Sequence, residues 1–149
     1  MKYIFTSSMK RFERANLCSK VYMELMNSIK FNGVIKSHKK RLKQKKRKAL
    51  FTNKSTNNNI TSIKDSIGYK GLKINVISNV NGFDVVINSS PIDAGFVEYI
   101  RVIPNGNTVL YTQHLLDRYN ERVYNRKFTK HSDIINELIG YANKSYSLS

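Results

Sequence analysis

The sequence predicts an α+β fold with an N-terminal helical pair, a four-stranded antiparallel meander and two C-terminal helices. Three observations carry this expectation. Apolar residues recur at three- and four-residue spacing in the first part of the chain, which is helical periodicity. From Leu72 they alternate instead, and the pairs Asn81-Gly82 and Asn105-Gly106 interrupt the alternation, which is a strong short-range hairpin signal. After Thr112 the helical spacing returns. A chain of 149 residues can bury one modest core, and a change of pattern near residue 60 divides it. Residues 1–60 form a basic helical arm or helical pair, and residues 61–149 an α+β domain.

Residues 2–6 read as a short strand or a simple apolar lead-in. From Arg11 to Lys30 the residues Cys18, Val21, Tyr22, Leu25, Met26 and Ile29 mark an amphipathic helix, which Asn32-Gly33 ends. Val34 to Leu50 suits a second helix with a thin apolar stripe of Ile35, Leu42 and Ala49, weakened by like-charge repulsion. Thr52 to Thr61 is polar and reads as a linker. Strands follow at 72–77, 83–87, 96–103 and 108–112, the third holding Glu98 and Arg101 among apolar neighbours. A helix from Gln113 to about Tyr124 is capped by Thr112, and a last helix starts at about Ser132, with Ser132 as its cap and Asp133 in its first turn. The tail from Lys144 is polar and expected to fray.

Charge narrows the function. The 26 Lys and Arg against 10 Asp and Glu give a formal charge of +16, which makes a polyanion, first of all nucleic acid, the default partner. No acidic residue lies between Glu24 and Asp65, and that interval holds Lys36, Lys39, Lys40, Arg41, Lys43, Lys45, Lys46, Arg47 and Lys48. Such a block suits salt-dependent contact with a phosphate backbone, or it is simply a solvated basic helix. It lacks the Trp/Phe/Leu face of an interfacial helix, and no run approaches a membrane span, so no membrane partner is expected. The N-terminus carries one charge and a short apolar patch, so it does not read as a signal peptide. The single Cys18 excludes an internal disulfide and cysteine zinc clusters, reads as a small buried hydrophobe, and fits a reduced, cytoplasmic setting. Three scattered histidines assemble no metal site, and no cofactor is implied.

The stretch Tyr111 to Val123 holds the sharpest chemistry. His114, Arg118 and Arg122 recur every four residues and so share one helix face. Metal-free RNA cleavage needs proton transfer, which histidine performs near neutrality, and cations for the phosphorane charge, which arginine supplies through its fork. Tyr99 and Arg101 lie two apart on one strand face, and Tyr111 ends the next strand, so these three are candidate partners of the column. The same column also suits a solvated face laced with ion pairs, because Asp117 and Glu121 follow at three-residue spacing. His38 reads as one more solvated polar residue, and His131 as a cap, a surface group or a second acid/base.

Thr112-x-His114-x-x-Asp117-Arg118-x-x-x-Arg122, with the Ile-rich helix Asp133-Ile-Ile-x-x-Leu138 after it, resembles a stretch of small toxin-like proteins of the barnase–EndoU–colicin–RelE ribonuclease superfold. The resemblance covers about residues 111–139. It implies helices paired with a small antiparallel sheet and metal-independent cleavage, with His114 transferring protons and Arg118 and Arg122 binding phosphate. The first expectation is therefore a toxin-type endoribonuclease acting on RNA, with Arg101 as a further phosphate clamp, the ribosome as one candidate location of the substrate and a cognate antitoxin as a candidate partner. The alternative is a non-catalytic basic nucleic-acid-binding protein of a phage or mobile element. A third is a structural component of a nucleoprotein assembly whose basic arm threads into RNA or DNA.

Overall fold

The computed structural model describes residues 1–51 and 62–147, with side chains through residue 48 and from 62 to 139. The linker expected at 52–61 lies outside the described residues. Helices α1 (Arg11–Met26) and α2 (Ile29–Phe51) precede a sheet of β1 (Ile63–Tyr69), β2 (Leu72–Asn79), β3 (Gly82–Asn88), β4 (Glu98–Val102) and β5 (Thr108–Thr112). Helices α3 (Gln113–Arg122) and α4 (His131–Ser147) follow. The strands lie side by side in chain order, each antiparallel to the next.

Alternation along the strands builds two cores. Ile74, Val76, Val85, Ile87, Ile100 and Val102 point to one face and meet Cys18, Val21, Leu25, Phe31 and Ile35 of α1 and α2. Ile77, Val86, Tyr99 and Tyr111 point to the other and meet Leu116 of α3 and Ile134, Ile135, Leu138 and Ile139 of α4. The first two helices therefore pack on the sheet, opposite the last two, giving an α/β/α arrangement of layers.

The sheet has five strands rather than the four expected. In β1 only Ile63, Ile67 and Tyr69 alternate as apolar residues, with Asp65 among them, so the edge strand lacks a clear period. Asp65 points inward because it meets a buried partner on α2. Lys70-Gly71 joins β1 to β2 with φ of 46° and 86°, the two positive values a tight hairpin needs. The β2–β3 turn centres on Val80-Asn81, one residue earlier than the Asn81-Gly82 signal, because Asn79 pairs with Gly82. The third expected strand shortens from 96–103 to Glu98–Val102.

The helices shift too. α1 stops at Met26, not near Lys30, because the Ser28 hydroxyl accepts from the Phe31 N–H at 3.2 Å and starts a new helix. Asn32-Gly33 consequently lies inside α2, and Ile29 turns outward, 92 % exposed. Residues 2–6 are a lead-in: the Tyr3 N–H donates to the Lys70 carbonyl at 2.8 Å, and Phe5 is buried. α4 starts at His131, so Ser132 is not its cap; the Lys130 carbonyl accepts from the Asp133 and Ile134 N–H groups instead. The helix continues past Lys144 to Ser147, where a frayed tail was expected.

One carboxylate ties three segments together. Glu24 of α1 accepts from the Tyr3 hydroxyl at 2.5 Å, the Tyr69 hydroxyl at 2.8 Å and Lys70 Nζ at 2.6 Å. These donors, Lys70 first, pull its carboxyl from the usual 4.5 down to about 2. A depressed carboxylate stabilises the fold above its unfolded value and stops doing so as pH falls through the folded one. Glu24→Gln should therefore lower the melting temperature at pH 7, and the gap to wild type should close between pH 4.5 and about 2. Thermal unfolding followed by circular dichroism across that window tests this; a gap independent of pH would refute it.

Candidate nucleic-acid interface

The basic block occupies α2. Phe31, Ile35, His38 and Leu42 are spaced by four, three and four, so they form one stripe, and all four are buried against the sheet. On the other faces of the helix Lys36, Lys39, Lys40, Arg41, Lys43, Lys45, Lys46, Arg47 and Lys48 are all exposed. Arg41 donates to Asp65 at 3.1 Å. Lys36, Lys39, Lys40, Lys43, Lys45, Lys46 and Arg47 have no ion-pair partner among the described residues.

His38 was expected in solvent and is instead 1 % exposed. Its Nε2 lies 2.5 Å from Asp65 Oδ2 on β1, and its Nδ1 lies 2.6 Å from Ser78 Oγ on β2. A carboxylate only accepts, so Nε2 carries a proton and donates to it. The Ser78 hydroxyl can donate to Nδ1 of the neutral ring or accept from the imidazolium. Either way all three groups are satisfied, and the link fixes α2 over β1 and β2.

The His114 column forms on α3. The Thr112 hydroxyl accepts from the Leu115 N–H at 3.2 Å, as the sequence suggested for the cap. His114, Arg118 and Arg122 are exposed, and neither arginine has an ion-pair partner among the described residues. Asp117 and Glu121 do not lace the column: Asp117 accepts from His131 Nε2 at 2.8 Å, and Glu121 lies 3.7 Å from Arg126. His114 and Asp117 border a groove of about 500 Å³ with Arg11 of α1 and Phe96. Beneath it, the buried Arg14 and Glu98 pair through Nε at 2.8 Å and Nη2 at 3.0 Å.

The expected sheet partners do not join the column. Tyr99 and Tyr111 stand opposite each other in register, but both are buried with Leu116 in the second core. Leu116 is two residues from His114 and two from Arg118, so it points roughly 200° away from them. The helix thus lies between the column and the tyrosines. Arg101 shares their face but donates to Asp84 at 2.9 Å, its Nη2 lies 2.7 Å from the same oxygen, and it is hydrogen-bonded to Tyr111. It serves the sheet rather than the column.

The polar residues that sequence reasoning missed carried a signal. Arg14, Cys18, Val21 and Leu25 share the four-three-four spacing of Phe31, Ile35, His38 and Leu42. Arg14 and His38 therefore sit on apolar stripes, where a buried polar side chain must have a partner. Among the described residues no group of three or more His, Cys, Asp and Glu could hold a metal, and no helix is long and apolar enough to cross a membrane. Comparison with protein families, curated proteins and solved structures finds no match.

The His38 link makes a stability prediction. His38→Leu leaves the buried Ser78 hydroxyl without its partner and should lower the unfolding free energy by about 1–3 kcal/mol. Adding Ser78→Ala removes the orphan and should recover part of that loss. Urea denaturation of both variants checks it, and a double variant no more stable than His38→Leu would contradict the account.

Proposed function

We propose that the protein binds nucleic acid through the phosphate backbone, with α2 as the principal contact. The observation that carries this reading is α2 itself: an anchored helix with seven exposed cations lacking ion-pair partners among the described residues, in a chain of charge +16. Backbone contact of this kind releases counterions and reads no sequence. The proposed partner is RNA or another nucleic acid, with ribosomal RNA as one source. The proposed setting is the cytoplasm, which suits a lone thiol that is buried and whose pKa burial raises.

A second reading adds metal-independent RNA cleavage, and the groove at the head of α3 favours it. His114 borders that groove beside Arg11, and Asp117, on the same groove, holds the His131 ring. In this reading His114 and His131 exchange protons with the RNA, and Arg118, Arg122 and Arg11 neutralise phosphate. The toxin-like resemblance over residues 111–139 and a cognate antitoxin belong to this reading.

Replacing Lys40, Lys45 and Arg47 by serine should lower the salt slope of binding by about two to three, roughly one per lost phosphate contact. Fluorescence anisotropy over a salt series measures the slope; an unchanged slope would remove α2 from the interface. RNA incubated with the protein in EDTA tests the second reading. It expects cleavage that His114→Ala slows by about 10²-fold or more. Intact RNA, or equal cutting by the variant, leaves binding alone.

A further inference from the structure

A groove of about 330 Å³ runs between α2 and the β2–β3 hairpin. Ile35 and Leu42 of α2 and Val80 and Phe83 of the hairpin give it apolar walls. Lys39, Lys43 and Lys46 line it from α2 at four- and three-residue spacing, so they form a row along about 10 Å of helix. Val80 is 67 % exposed, a large apolar side chain outside either core. Phe83 is half-buried and meets Phe31 edge-on at 5.8 Å, while also lining the groove.

An apolar trough bordered by a row of ammonium groups matches an unstacked nucleotide. A base can lie against an aromatic ring and aliphatic side chains while its flanking phosphates meet the lysines. A duplex keeps its bases stacked inside and presents phosphates, so it would meet the lysines and leave the trough empty. Charge complementarity also sets the size of the ligand. Lys36, Lys40, Lys45 and Arg47 carry the positive surface beyond the groove, which suits a polymer better than a small organic acid. We propose that this groove holds one unstacked base of a single-stranded nucleic acid, with the neighbouring phosphates on Lys39, Lys43 and Lys46. The proposal rests on the nucleic-acid reading and narrows it to single strands.

Two variants separate the base from the phosphates. Phe83→Leu keeps an apolar contact for Phe31 and removes the ring. Val80→Asn changes an exposed residue at the edge of the groove and leaves both cores intact. Anisotropy with a short labelled RNA, alone and annealed to its complement at one salt concentration, reads both. Wild type should prefer the single strand. Each variant should weaken single-strand binding about 5-fold or more, the low end of a base-stacking contribution, and leave duplex binding unchanged. Equal affinity of wild type for both forms, or undiminished single-strand binding by both variants, overturns the groove proposal while the backbone reading stands. If wild type binds neither form, the backbone reading falls with it.

Discussion

A helix with nine cations between Lys36 and Lys48 and no acid cannot be held by its own charges. Lysines and arginines four apart repel, so α2 is weak in isolation. Its position comes from a buried stripe and from polar links, His38 to Asp65 and Ser78 and Arg41 to Asp65. The acid-free interval of the sequence ends at both of the tie points that matter here. Glu24, at one end, fastens the N-terminus and the β1–β2 turn to α1; Asp65, at the other, fastens α2 to the sheet. With few acids available, each is committed to holding an element in place, and the cations between them are left to face outward.

The same economy runs through the sheet. Strands covered on both faces cannot carry an unpaired polar side chain cheaply. Glu98 on one face is met by Arg14 and by the Ser89 hydroxyl at 2.8 Å. Arg101 on the other is met by Asp84, and Asn75 donates to Asn136 of α4 at 3.1 Å. No buried side-chain nitrogen or oxygen among the described residues lacks a hydrogen bond. A one-residue slip of any strand would send these groups to the wrong face. The polar pairs therefore specify register as well as fill the interior.

The α+β class, the meander and the last two helices were legible because helical and strand periods differ and the turns announce themselves. β1 was not legible, because its inward Asp65 belongs to a partner 27 residues away in sequence. The break at Asn27-Ser28 was hidden because apolar spacing continues across it and the start of α2 is set by one serine hydroxyl. Of the candidate site, the column on α3 and the exposure of the α2 cations follow from local spacing. The fate of Tyr99, Arg101 and Tyr111 does not. A shared strand face can be read from sequence, but whether a helix then covers it is a tertiary fact.

Their separation decides how the two basic surfaces can act. α2 packs over β1 and β2 on one face, while α3 adjoins β5 at the far edge and packs on the other. Four strand intervals of about 4.8 Å put these edges roughly 19 Å apart, before the thickness of the layers is counted. A nucleic-acid segment would have to span at least that distance to touch α2 and the His114 groove at once. α2 can supply affinity without α3, whereas a cleaving site at His114 would draw its local phosphate contacts from Arg11, Arg118 and Arg122. The cleavage reading of the column thus stands or falls on chemistry at its own groove, and any affinity supplied by α2 would say nothing about it.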